Sequence, residues 1–398
     1  MITLTVPTNA KKKAVWDAVH AQKPIRVPLK WGHNSRIVML NPELNPEGYT
    51  YEQMLHDPQT VLTMLPRWWE YGATVMADTD DTIKELPATW TLWVENHNIY
   101  DGAYFGTPFG AKVQFHAGQV PSIEPCLGED AVDAFLAFDF SRPLENPWIV
   151  ERMAFREEIV KAAQGWSYLG RPSHVVPFTL NFDGPLTVAT ILFGTDIFIL
   201  MATEPEKARA LLLHITRAAI VRNRALNALA GFPQRSAGGG LADDSIQLIG
   251  AEMLEDIVLP AHALWYDEMS DTTPADRRRS IHLCGDATRH FRFLRDQLGI
   301  YSFDTGFPVD HGALRRELGP DVHISGGPPV ELLRQGKPEQ CFAAARDILL
   351  SGVKTGGRFS LREGNNLPPC VPLDNLRAVY AACLEFGRYD GNESVVIP

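Results

Sequence analysis

In the stretch Ser280-Ile281-His282-Leu283-Cys284-Gly285-Asp286 an imidazole and a thiol stand two residues apart. The stretch reads as a short strand, and side chains two apart on a strand share a face. His282 and Cys284 therefore aim at one place. Imidazole and thiolate together favour zinc. A competing reading makes Cys284 a small buried residue and His282 a hydrogen-bonded core residue. Other polar residues fall at the ends of strand-like runs: Trp31 and His33, Asp78, Asp183, Asp243 and Asp244, Asp304, Glu363 and Asn365. Charge at strand after strand is costly to bury unless it is paired, metal-bound or faces a water-filled mouth. Asp80, Asp81 and Asp310 read instead as solvated loop residues, and His174 and His323, at strand starts, as structural.

Eight short strands carry these residues. Their centres are Ile25–Lys30, Ala73–Asp78, His174–Thr179, Ser236–Leu241, Ser280–Cys284, Tyr301–Gly306, Val322–Gly327 and Arg358–Gly364. Helical sequence separates them, including a long amphipathic run from Glu204-Pro205 to Gly231 with apolar residues at helical spacing. Strand and helix in alternation predict an α/β fold, a (β/α)8 TIM barrel, whose chemistry sits at the C-terminal strand ends. Residues 1–398 read as one domain, with a β-rich insertion over 85–120 after the second strand. The insertion's aromatics (Trp90, Trp93, Tyr100, Tyr104, Phe105, Phe109) either cover a substrate, meet a partner, or pack a hairpin or homodimer contact.

With 45% hydrophobic and 21% charged residues the chain has an ordinary globular composition. A net charge of -11 argues against a nucleic-acid partner, which would want a basic stripe. The longest apolar stretch, Leu186 to Met201, is broken by Gly194, Thr195 and Asp196, so no membrane span is expected. Five scattered cysteines make no disulfide framework, and Met1 to Lys13 has no signal-peptide pattern; the expected location is the cytoplasm. Gly326-Gly327-Pro328-Pro329 leads into a helix. It reads either as an anion-holding helix start or as a tight turn before a proline-initiated helix.

Taken in order, several fragments resemble the uroporphyrinogen decarboxylase-like superfamily. They are Val75-Met76-Ala77-Asp78, Gly184-Pro185, Ile281-His282-Leu283-Cys284-Gly285, Phe303-Asp304, Ile324-Ser325-Gly326-Gly327-Pro328, and Leu361-Arg362-Glu363-Gly364-Asn365-Asn366-Leu367-Pro368-Pro369. That superfamily holds the decarboxylase and zinc-dependent methyltransferases of the coenzyme M and corrinoid type, and the resemblance implies a (β/α)8 barrel. The decarboxylase branch carries an arginine cluster after the first strand and an aspartate at the end of the second. Asp78 matches that aspartate, but Trp31-Gly32-His33-Asn34-Ser35-Arg36 holds one arginine where a substrate with many carboxylates needs several. The methyltransferase branch carries His-x-Cys in the fifth strand and a second cysteine after the eighth. Here His282 and Cys284 match, while Asn365 stands where that cysteine is expected.

The resemblance to the methyltransferase branch implies Zn2+ held by His282 and Cys284; with Asn365 in place of the expected cysteine, Asp243 or Cys370 is the candidate third ligand, and Asp244, Asp304 and Glu363 are alternative oxygen donors. It also implies a methyl group passed from a corrinoid carrier protein to a metal-activated thiol. Asp78, Asp304 and Glu363 are the candidate catalytic residues. Trp31, His33, Arg36, Asp183, Asp244, Gly326 and Asn365 are the candidates for binding a small-molecule substrate. Two rival expectations stand beside this. One is a metal-free decarboxylase or lyase in which Asp78 handles a proton and Arg36 or Arg362 holds a carboxylate; the other is a barrel that binds a ligand without turnover.

Overall fold

A computed structural model describes residues 4–32, 34–94 and 106–389. The chain is mixed α/β and divides into two compact units, each built from separate pieces of sequence. A central unit takes Asn45–Pro66 and Thr89–His282; a terminal unit takes Met1–Leu44, Arg67–Ala88 and Leu283–Pro398.

The central unit begins with five short strands: β1 (Trp90–Leu92), β2 (Val113–Gln114), β3 (Ser122–Ile123), β4 (Ser167–Tyr168) and β5 (Arg171–Val175). β1 runs parallel to β5, β4 antiparallel to it, and β2 and β3 form a small antiparallel pair. Trp90 and Leu92 are buried, and the Trp90 indole donates to the Tyr168 carbonyl at 2.8 Å. So residues expected to open an insertion form a parallel strand beside the third predicted one. Tyr100, Tyr104 and Phe105 lie outside the described residues, while Phe109 packs on Phe135 and Phe140.

The apolar stretch after Gly184 forms two helices, Pro185–Phe193 and Asp196–Thr203, bent by 116° at the predicted break. No single helix among the described residues is long and apolar enough to cross a membrane. The helix Pro205–Ala230 starts with a proline in its first turn, where no N–H is needed, and stops at left-handed Gly231. β6 (Gly239–Ala242) and β7 (Arg279–Leu283) then pair in parallel, from Gly239 opposite Arg279 to Ala242 opposite His282. The helix Leu259–Met269 braces them: Trp265 donates to the Gly240 carbonyl and the Tyr266 hydroxyl to the Ser280 carbonyl, both at 2.8 Å. Ahead of it Leu254–Val258 is a π-turn. Pro260 cannot donate to the Asp256 carbonyl, which accepts from Arg209 Nε at 2.6 Å instead.

In the terminal unit β8 (Ile300–Thr305), β9 (His323–Gly326) and β10 (Phe359–Leu361) are parallel, with Ser302 opposite His323 and Ile324 opposite Phe359. Ile300, Phe303, Ile324, Phe359 and Leu361 are buried. The first predicted strand survives only as bridges, Leu29 with Leu361 and Arg26 with Arg388, because Pro28 has no N–H to give a ladder.

The second predicted strand is not one. A helix runs from Pro58 through Thr74, and Met76–Asp78 is a 3-10 turn. What ties this segment to residues 29–31 is side chains. The reading of Asp80 and Asp81 as solvated is corrected, since both are buried. Asp81 pairs with the Arg26 guanidinium and accepts from the Leu29 N–H (2.9 Å) and the Tyr380 hydroxyl (2.7 Å). Asp80 accepts from the N–H groups of Trp31 (3.1 Å) and Thr82 (2.8 Å), and burial pushes its pKa up to about 6. Lys12, itself buried, donates to the carbonyls of Ala77 and Thr82.

Candidate metal centre

β7 alternates as a half-buried strand should: Arg279, Ile281 and Leu283 point into the core, Ser280 and His282 to the other face. Its start is pinned by Arg279, buried, paired with Asp267 at 2.7 Å and stacked over the Tyr266 ring at 5.0 Å. The boundary between the units falls inside this strand, after His282, so Cys284 is the next residue but one along the same short run. β6 stops opposite His282, and Asp243 and Asp244 follow it immediately. Asp244, His282 and Cys284 each offer a ligand atom, all three atoms lie within 4.8 Å of one another, and all three residues are half-buried.

The sequence expected a third ligand in Asp243 or Cys370, with Asp244 as a further oxygen donor. The structure places Asp243 elsewhere. Its carboxylate is fully buried and accepts from the Leu186 N–H (3.3 Å), the Thr187 N–H and hydroxyl (both 2.8 Å) and His262 Nε2 (2.7 Å). Cys370 is exposed, and its sulfur faces the Leu40 carbonyl at 3.9 Å. His262 drew no attention in the sequence, because a single histidine inside an apolar helix carries no spacing signal.

The terminal unit brings together Asp304, Arg362 and Glu363. Glu363, at the end of β10, is fully buried and accepts the Gly32 N–H on both oxygens (3.0 and 3.2 Å) and Arg362 Nη2 (2.6 Å). Arg362 Nη1 donates to Asp304 Oδ2 at 2.6 Å. Burial pushes the Glu363 carboxyl above the usual range, against the pull of Arg362. Burial alone would weaken the Arg362 charge, yet Glu363 and Asp304 hold its pKa well above normal, and Cys284 adds to the same effect. Gly306 is required here: a Cβ on it would overlap the backbone of Cys284 and Gly285.

Other expected site residues are held as follows. Trp31 is buried and anchored, its indole donating to the Thr79 carbonyl at 3.1 Å. Asp78 is paired with Lys84 at 2.5 Å and partly exposed. Arg36 opens a short helix whose first N–H donates to Asn34 Oδ1 at 3.0 Å. Gly326 is buried where a side chain would strike His311 and Thr305, and its carbonyl accepts the Arg362 N–H at 3.1 Å. Asn365 accepts the Asn366 N–H at 2.7 Å, and Asp183 is half-buried just before Gly184. His33 lies outside the described residues. The helix after Gly326-Gly327 has only six residues, Val330–Gln335.

Asp244, His282 and Cys284 fit a zinc-class ion. One nitrogen, one sulfur and one oxygen donor converge from two neighbouring strand ends, and a three-residue set leaves a fourth position for substrate. A tetrahedral ion with bonds of about 2.0–2.3 Å holds its ligand atoms roughly 3.5 Å apart.

The model of the family described as uroporphyrinogen decarboxylase (URO-D) matches residues 103–386. Among solved structures, the chain is similar to a methyltransferase from Methanosarcina mazei, with 16% sequence identity over 94% of this chain and 98% of that one, at a TM-score of 0.61. At that identity the likeness speaks for the fold. No curated protein matches the sequence.

Proposed function

The chain belongs to the uroporphyrinogen decarboxylase (URO-D) family, and from that premise we propose that it is a metal-dependent methyl-transfer enzyme. The proposal includes a single closed (β/α)8 barrel over residues 1–398, carrying the segment 85–120 as an insertion, and a cytoplasmic location. One observation supports it above the rest: Asp244, His282 and Cys284 converge as a mixed nitrogen, sulfur and oxygen donor set, which a decarboxylase does not need. The fold shared with a methyltransferase agrees with it.

In this reading His282, Cys284 and Asp244 hold the ion. When bound, a zinc-class ion supplies Lewis acidity that lowers the pKa of a substrate thiol. Asp304 would take up the thiol proton on its carboxylate, and the thiolate sulfur would bond to the methyl carbon of a methyl-corrinoid carrier protein as the cobalt–carbon bond breaks, its electron pair staying on cobalt. Glu363 keeps Arg362 in place, and Arg362 balances the negative charge that gathers near Cys284. Substrate contacts are assigned to Trp31, His33, Arg36, Asp183, Gly326 and Asn365.

A metal-free decarboxylase is the second reading, resting on the guanidinium of Arg362, which would exchange its Asp304 partner for a substrate carboxylate. Asp78 would then handle the proton. Elemental analysis of wild type, Cys284→Ala and Asp244→Ala separates the two. Near-stoichiometric zinc in wild type and its loss in both variants is the expected result. A metal-free wild type would return His282 and Cys284 to the core and leave the lyase reading in place.

A further inference from the structure

We infer that His262, Asp243 and Thr187 form a buried brace that sets the position of Asp244, making them positioning residues for the proposed metal centre; this inference rests on that centre. Asp243 and His262 are both fully buried, with Nε2 of His262 2.7 Å from Asp243 Oδ2. A carboxylate needs a donor, so Nε2 carries the proton. The other ring nitrogen, Nδ1, is buried without a hydrogen-bond partner among the described residues. Among the described residues the ring's one polar contact is therefore with Asp243.

Asp243 passes that constraint on. Its carboxylate takes two N–H groups of the first turn of the helix Pro185–Phe193, from Leu186 and Thr187, and the Thr187 hydroxyl. The same Thr187 oxygen accepts the Ser245 N–H at 3.0 Å. Residues 243 and 245 are thus both tied to one threonine, and Asp244 is fixed between them. From the other side Gly184, at φ +73, presses against the Ala242 carbonyl and the Asp243 side chain, where any Cβ would overlap. Asp244 opens the 3-10 turn Asp244–Leu248 that directly follows β6. With its backbone held on both flanks, its carboxylate keeps one approach to His282 and Cys284. Groups that orient a ligand from behind typically change metal affinity by about 10–100-fold when removed.

The test is Co2+ titration of the full-length protein, read by its visible absorption, in wild type, His262→Ala, His262→Gln and Thr187→Val, each with its thermal unfolding recorded. His262→Ala and Thr187→Val are expected to weaken Co2+ binding by about 10–100-fold while unfolding cooperatively. His262→Gln, whose side-chain amide donates from a similar position, is expected to recover most of the loss. A purely structural brace would lower the melting temperature and leave the affinity of the folded protein unchanged. Folded variants that bind Co2+ as tightly as wild type therefore overturn the inference while the metal centre stands. Thr187→Val keeps the test decisive if His262→Ala does not fold. A wild type that binds no Co2+ overturns the centre and the brace together.

Discussion

Two Asp-Asp pairs, Asp80-Asp81 in the terminal unit and Asp243-Asp244 in the central one, start from the same dipeptide and end in different chemistry. In each, one carboxylate is wholly internal. Asp81 is surrounded by Arg26, the Leu29 N–H and Tyr380; Asp243 by Leu186, Thr187 and His262. The neighbours diverge. Asp80 is turned into the protein, where backbone N–H groups hold it, and burial brings its pKa to about 6. Asp244 is turned half-open toward His282 and Cys284. An internal carboxylate with a full set of donors is architecture, and the residue beside it becomes useful only where the architecture leaves it a face.

The largest effect that would break this comparison is expected at Asp81. Asp81→Ala leaves the Arg26 guanidinium buried without its counter-charge, and denaturant unfolding should show a loss of about 3–5 kcal/mol. A loss under about 1 kcal/mol would deny the carboxylate its structural role.

Asp80 comes next. Its folded pKa, about 6, lies above the ordinary 3.8, so the folded chain takes up this proton first. The stabilisation from this group is complete below about pH 4 and disappears as pH rises through 6, an effect of roughly 3 kcal/mol. His311 and His323 run the other way: burial lowers both from 6.5 to about 4, so their contribution is present above 6.5 and is lost as pH falls through 4. Asp80→Asn leaves the histidine effect uncompensated, and its stability should rise with pH between 4 and 6 more steeply than that of wild type. Parallel curves for the two proteins would refute the assignment.

The smallest effect is expected at Asp244. Asp244→Asn should cost under about 1 kcal/mol of stability, since the residue is half-buried and the amide keeps its size, while metal content falls away. A large destabilisation would place Asp244 with Asp81 rather than apart from it.

Much of the chain was readable before its structure. The strands of His282, Asp304, Ser325 and Leu361 fall close to their predicted positions, because short β-branched and aromatic runs between glycines are distinctive. The helix ending at Gly231 does as well. The segment Ala73–Asp78 misled, since its apolar run completes a helix and turns, and its link to the first strand lies in the carboxylates that follow. His282 and Cys284 were legible through their spacing. Which aspartate joins them was not, because Asp243 and Asp244 differ only in the partners that Thr187 and His262 bring from elsewhere in the sequence. Asp81 was misjudged for the same reason, its donors Arg26 and Tyr380 lying far along the chain, and Asp80 because the Trp31 N–H reaches it from a distant segment.

That distance has a consequence for biosynthesis. Gly32 meets Glu363, 331 residues later, and Asp81 meets Tyr380, 299 residues later. At a synthesis rate of about 5–20 residues per second, the stretch from Val27 to Trp31 leaves the ribosome roughly 15–65 s before its strand neighbour exists. In that interval its native partners are confined to the Thr79–Asp81 segment made soon after it. The terminal unit can complete its strand contacts only when translation is nearly over.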